Sequence, residues 1–311
     1  MNRSLLTRFA WISIAASIAT MALKAGAYQI TGSVSLLSDA VESIVNLIGG
    51  IMALAMLIIA ARPSDKDHAY GHSKAEYFSS GVEGTLILIA AVCIAVAAVQ
   101  RLLNPRHLHD LGLGLLISVG ASLINLGVAL LLLRVGRKHN SITLEANAQH
   151  LLTDVWTSAG VLVGIGVVAL TGWEALDPIV AIIVAANIVW TSFRIIRRSI
   201  DGLMDKALPA EDEACVRQVL RTYEATGVEF HALRTRQAGA RKFVALHVLV
   251  PGAWTVRRGH DLLEQIETEI RTALPDAVVF THLEPIDDPS AWADEALERA
   301  DTLPPKSPSP P

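Results

Sequence analysis

Five residues in the first half of this chain have the types and spacing to do ion chemistry. Asp39, Glu42 and Asn46 recur at intervals of three and four, and His150 and Asp154 are again four apart. Residues three and four apart share a helix face. Glu42 and Asn46 therefore project from one face, with Asp39 a turn away, and His150 and Asp154 project from another. Two helices that each present ligands at i and i+4 can enclose one ion in a roughly tetrahedral cage, a geometry that zinc and similar first-row dications accept. A lone His or Asn in an apolar helix is more commonly glue between helices. Hydrogen bonding alone, however, does not call for full carboxylates together with an imidazole, and each such group at membrane depth costs a few kcal/mol or more. Lys24 reads instead as a partner for an acid or as a snorkelling stem.

Two further groups have ligand chemistry. The segment RPSDKDHAYGHSKAE brings Asp65, His68 and His72 within eight residues, with Gly71 allowing a tight turn. A carboxylate and two imidazoles form a competent metal set, although a solvated loop would also carry such residues. Farther on, His231 and His247 fall on alternating segments, His260 on a helical one, and His282 and Glu284 on a last strand. Because His282 and Glu284 are two apart they share a strand face, and neighbouring strands can bring His231 and His247 to them. Spacing alone leaves open a surface zinc site or scattered surface histidines. The basic run Arg234, Arg236, Arg241 and Lys242 reads as a solvated strand edge and turn.

The elements that position these groups follow from hydropathy. Of the 311 residues 52% are hydrophobic and 18% charged, an apolar surplus that needs lipid, and almost all of it precedes about residue 200. Runs long enough to cross about 30 Å of hydrocarbon place six transmembrane helices near 9–30, 34–61, 77–102, 110–135, 143–171 and 177–200. The first begins after Arg3 and Arg8 but is too long for a signal peptide and has no clear cleavage site. Arg62, Lys66 and Lys74, then Arg134, Arg137 and Lys138, then Arg194, Arg197 and Arg198 mark cytoplasmic segments, with Arg101 and Arg106 the exceptions on the opposite side. Both termini are expected in the cytosol. Cys93 and Cys215 fit no disulfide framework or thiolate site and read as packing residues. The net charge of −4 gives no support for nucleic acid as a partner. No HExxH, nucleophile elbow or phosphate-binding glycine loop is present, so the chain is not expected to be an enzyme.

The organisation expected is a transmembrane domain over 1–203, a cytosolic αββαβ domain over 204–288 and a disordered tail over 289–311. The α+β unit comprises a helix from Pro209 to about 225, strands at 228–236 and 242–250, a helix at 255–274 and a strand at 277–284. Two helices on one face of a small sheet leave little depth for an active site and suit pairing with a copy of itself. The tail, ending LPPKSPSPP, has the composition of disorder.

These features resemble the cation diffusion facilitators over nearly the whole chain to about residue 288. TGSVSLLSDAVESIVN is similar to the family's second-span signature, HLLTD to its fifth-span HxxxD, and DKDHAYGHSKAE to the loop motif of the bacterial ferrous-iron and zinc efflux branch. The αββαβ unit resembles the family's metallochaperone-like domain. The resemblance implies a homodimer in the inner (plasma) membrane that exchanges a cytosolic divalent metal for protons by alternating access. Zinc comes first, with iron, cobalt, cadmium and manganese as alternatives. It further implies a transport site of Glu42, Asn46, His150 and Asp154, a loop site of Asp65, His68 and His72, and a dimer-interface site of His231, His247, His260, His282 and Glu284. Lys74 and Asp205 match a salt-bridge pair near the dimer contact.

Two departures bear on the metal. The branch usually has Asp at both second-span positions and many zinc exporters have His then Asp, so Asn46 supplies a neutral amide oxygen in place of an anion. Either Asn46 completes the shell or Asp39 replaces it. Leu283 stands where the branch often has a polar residue, which is expected to reduce the ligand count of the cytosolic site. Metal needs neutral imidazole and ionised carboxylate, so protons and metal compete for the same atoms, and that competition is the antiport. The rival from another class is a non-transporting, membrane-anchored metal sensor.

Overall fold

The computed structural model describes residues 4–31, 34–103, 112–171, 173 and 175–292. Outside these fall the segment holding Arg106, the tail from 293 onward and, although their backbone is helical, the side chains of Asp39 and Glu42. The chain divides into two compact units, Met1–Met204 and Asp205–Pro311.

The first unit is a bundle of α1 (Ser4–Thr31), α2 (Val34–Ala60), α3 (Ala75–Leu103), α4 (Gly112–Lys138), α5 (Ile142–Thr171) and α6 (Leu176–Leu203). Each runs 27 to 30 residues, roughly 40 Å or more at about 1.5 Å per residue, enough to span hydrocarbon with room at both ends. The distribution of side chains is that of a membrane protein. Trp11, Ile18, Ile51, Ile89, Val96, Leu123, Ile183 and Phe193 face outward, while Ser13, Ser17, Thr20, Asn125, Asn147 and Ser192 are buried between helices. In lipid the outward apolar surface costs nothing, and several of the polar groups find partners inside. One such pair is Asn147 Nδ2 donating to Ser13 Oγ at 3.0 Å. These are six transmembrane helices. By hydropathy, windows in α1, α3, α4 and α6 are apolar enough to span on that criterion alone among the described residues. Polar clusters sit in α2 and α5.

Helices α1 and α2, α3 and α6, and α4 and α5 pack along one another, and α5 touches all five of its neighbours. That central position buries Asn147, His150, Thr153 and Asp154 of α5. Lys24 is buried within the bundle rather than snorkelling to its surface. Cys93, expected as a packing residue, lies on the exposed side of α3.

The second unit is α7 (Ala210–Glu224), β1 (Glu229–Ala238), β2 (Arg241–Val250), α8 (Val256–Ala273), β3 (Ala277–Pro285) and the short α9 (Pro289–Trp292). The sheet order is β1-β2-β3, with β1 antiparallel and β3 parallel to β2. Alternation sends Val244, Leu246, Val248 and Val250 to one face, where they form a core with Val216, Leu220, Ile266 and Ile270 of the two helices. His247 points to the other face. Residues 289–292, expected in the disordered tail, instead form a helical turn. Asp288 Oδ1 accepts from Ser290 N at 2.8 Å, and Trp292 Nε1 donates to the Ile286 carbonyl at 3.1 Å. Those two bonds help to hold the turn.

Candidate metal centres

The membrane cluster forms where α2, α4 and α5 meet. Asn46, Asn125, His150 and Asp154 are each at most 5% exposed. Asn46 Nδ2 donates to Asp154 Oδ2, and Asn125 Nδ2 donates to the same oxygen at 3.1 Å. His150, one turn before Asp154, lies against α2 at Gly49, where an added Cβ would stand 3.1 Å from its Nδ1. The absence of a side chain at 49 lets the imidazole approach. Three polar atoms here are buried with no hydrogen-bond partner among the described residues: Asn46 Oδ1, Asn125 Oδ1 and His150 Nδ1. Such atoms are rare in native interiors, and unmet acceptors on residues grouped about a carboxylate suit a cation.

Asn125 escaped the sequence reading because it is a single amide in the apolar run of α4. Glu83 carried a stronger signal, an acid well inside the third span. It is fully buried, with Ser79 Oγ 3.4 Å from Oε1. Glu76, in the first turn of α3, accepts from Ser141 Oγ at 2.7 Å and ties that turn to the start of α5. Arg198 of α6 pairs with Glu145 of α5.

The loop between α2 and α3 brings Asp65, His68 and His72 together. Asp65 Oδ1 accepts from the backbone N–H of Asp67 at 3.1 Å and of His68 at 2.7 Å, closing a turn about the aspartate. Gly71, at φ 84°, returns the chain so that His72 Nε2 stands 3.4 Å from Asp65 Oδ2. The His68 and His72 rings lie 4.4 Å apart. One ligand atom from each of the three residues falls within 4.8 Å of the others. The His68 backbone N–H, foremost, holds the Asp65 carboxyl below its ordinary range, with the two imidazoles adding to the effect.

On the second unit, His231 pairs with His247 across β1 and β2, and His247 with His282 across β2 and β3. Three histidines thus stand side by side on the face away from the helices. Glu284 meets all of them, with Oε2 2.9 Å from His231 Nε2 and 3.3 Å from His247 Nδ1, and Oε1 3.4 Å from His282 Nε2. A bulge after His231 shifts the register before Arg234, and Ala232 takes φ 50° there, which aims His231 at the carboxylate. His231 Nδ1 is buried without a partner among the described residues, and the Trp292 ring lies 5.6 Å from the His231 ring, tilted by 56°.

Two expectations change here. His260 is exposed on α8, in the layer on the other side of the sheet, so a single chain does not bring it to the cluster. Leu283 points to the helix layer, where an added Cβ on Gly259 would meet its Cδ2 at 2.2 Å. It faces away from His282 and Glu284, so its apolar character takes no ligand from the site. Lys74 Nζ donates to the Leu203 carbonyl at 3.2 Å, and Asp205 accepts from Arg236 at 3.0 Å.

Residues 10–204 match the family described as the cation efflux transmembrane domain, and residues 208–286 match the cation efflux protein cytoplasmic domain. The chain belongs to the cation diffusion facilitator (cation efflux) family. An uncharacterized transporter of Synechocystis is 49% identical over 308 residues, covering 99% of this chain and 98% of that one. Cation-efflux pumps FieF are similar at lower identity. That of Shewanella oneidensis is 28% identical over 274 residues, covering 88% of this chain and 92% of its own; that of Serratia proteamaculans is 29% identical over 264 residues, covering 85% and 87%. This cation diffusion facilitator is therefore a multi-pass membrane transporter for cation efflux rather than a member of an enzyme family. The family assignment does not favour the alternative of a non-transporting sensor.

Proposed function

We propose that this transporter exports a divalent transition metal, zinc first and iron, cobalt, cadmium or manganese as alternatives, in exchange for protons by alternating access. The observation that carries the reading is the convergence of Asn46, His150 and Asp154 in the buried centre of the bundle. Glu42, one turn from Asn46 on α2, joins them as the second anion, and Asp39 is the alternative to Asn46 in the shell. In the cytosol-facing state the metal binds ionised Asp154 and neutral His150. On the acidic outer side protons take those atoms and release it.

In this reading the helices belong to residues 1–203 and lie in the plasma membrane with both termini cytoplasmic, and residues 204–288 form a cytosolic domain through which two copies pair. Asp65, His68 and His72 form one auxiliary site. His231, His247, His282 and Glu284 form another, and their donor set of imidazoles around one carboxylate suits zinc. The position of His260 on the opposite layer makes it a ligand only if a second copy supplies it. Metal at these sites tightens the dimer and couples cytosolic metal level to transport rate.

The direct test is flux into proteoliposomes carrying wild type or Asp154→Ala. The variant is expected to move neither metal nor protons. Undiminished metal-driven proton movement would refute the assignment.

A further inference from the structure

Resting on that transport site, we propose that Asn125 is its third-helix member, a residue that widens the range of metals accepted by holding Asp154 and offering its own amide oxygen. Nothing in the pairing of α2 with α5 requires α4 to contribute. Yet Asn125 Nδ2 reaches Asp154 Oδ2 at 3.1 Å, the oxygen that Asn46 Nδ2 also reaches. Asn125 is 1% exposed, with Ala121 and Ala129, four residues to either side, fully buried and apolar and Ser122, three residues before it, half-buried.

The decisive feature is the other end of the amide. Asn125 Oδ1 is buried with no hydrogen-bond partner among the described residues, as is Asn46 Oδ1. An unmet buried acceptor costs about 1 to 3 kcal/mol, and a helix-gluing amide would be expected to satisfy both ends. Two such oxygens, each on an amide already bonded to the one carboxylate, leave buried acceptors unmet on the residues that hold Asp154. A dication fills that need.

The chemistry sets the direction of the selectivity. Carbonyl oxygens are hard, neutral donors that suit manganese, which accepts more oxygen ligands, whereas zinc is content with few donors and favours imidazole. Asn125 thus adds acceptance of the harder dications to a core of His150 and Asp154 that serves zinc.

The test uses the full-length protein in proteoliposomes, with initial rates for manganese chloride and zinc chloride across wild type, Asn125→Leu, Asn125→Asp and Asp154→Ala. Asn125→Leu keeps the approximate volume and removes the oxygen. It is expected to raise the KM for manganese by about tenfold to a hundredfold, the range for loss of a residue supporting a metal ligand, and that for zinc much less. Asn125→Asp restores the oxygen and is expected to recover manganese, with a manganese-to-zinc ratio at or above wild type. A ratio in Asn125→Leu equal to wild type, whether both rates persist or fall together, overturns the proposal. If Asn125→Leu does not fold, a ratio in Asn125→Asp below wild type overturns it instead. Asp154→Ala separates the failures. Loss of all flux there with no selectivity change at 125 defeats only this inference, whereas flux that survives it defeats the transport-site reading itself.

Discussion

Replacing Glu284 with Gln keeps the shape of the side chain and removes the one anion that three histidines share. Its oxygens lie 2.9, 3.3 and 3.4 Å from His231, His247 and His282. Without metal, the change exchanges hydrogen bonds to a charged group, worth about 1.5 to 3 kcal/mol, for neutral ones worth about 0.5 to 1.5. The expected loss is about 1 kcal/mol, a shift of about 4 to 8 °C for a domain of this size. With metal the difference widens. A direct anionic ligand is worth at least the upper end of the tenfold to hundredfold range measured for supporting residues. At free zinc near 100 times the wild-type Kd, wild type gains about 2.7 kcal/mol from binding, while a variant weakened about a hundredfold gains only about 0.4. Thermal unfolding of the full-length protein in detergent, with zinc titrated against a chelator buffer, reads both numbers, and equilibrium dialysis counts the ions held. Equal zinc-dependent stabilisation in the two proteins, with equal bound zinc, would refute the assignment of Glu284 as a ligand.

Four further outcomes are expected. Asn46→Asp sets a second carboxylate against Asp154, so metal should bind more tightly, with a steeper dependence on pH and lower thermal stability when metal is removed; isothermal titration at two pH values checks this. Gly202→Ala would place a Cβ 2.3 Å from the Tyr77 ring and should cost about 1 to 3 kcal/mol, whereas Gly26→Ala, with nothing within 4 Å, should be neutral or stabilising in the same unfolding assay. Ala232→Gly relieves the positive φ at the bulge and should stabilise the protein by a few tenths to about 1 kcal/mol without changing bound zinc. At the loop, Asp65 is held below its ordinary carboxylate range, so its carboxylate stays anionic to lower pH than a free aspartate does. Metal affinity there, followed by competition with a metal indicator, should therefore show no proton competition from Asp65 across the ordinary aspartate range.

Much of this arrangement can be read from residue order. The apolar runs locate all six helices, but hydropathy marks hydrocarbon rather than helix ends, so α4 runs on through Arg134 and Arg137 to Lys138 and α6 past Arg198 to Leu203. The i, i+4 spacing of His150 and Asp154 places both on the face of α5 that the bundle buries. Asn125 is invisible by the same logic, because a single amide has no partner in its own helix and its role depends on which helix lies beside α4. On the sheet, alternation correctly unites His282 with Glu284. The register that sets His231, His247 and His282 in one row arises from a bulge and a parallel crossover that spacing does not encode. Alternation also shows that Leu283 faces away from them, whereas a family pattern compared position by position suggests a missing ligand.

The donors differ between the membrane and the second unit in a way that fits different tasks. Around Glu284 stand three imidazoles, strong ligands that hold zinc well. Around Asp154 stand one imidazole and two amides, with Asp154 the one anion whose position is described. A carrier has to release what it binds, and a pathway works when binding is favourable enough to enter and weak enough to leave. Neutral oxygens in place of acids lower affinity without closing the cage, so in the transport site proposed above an amide at 46 would serve turnover rather than mark a decayed site. On this argument Asn46→Asp, although it tightens binding, should lower the maximal flux. A variant that binds more tightly and also turns over faster would show that the amide at 46 is not there to ease release.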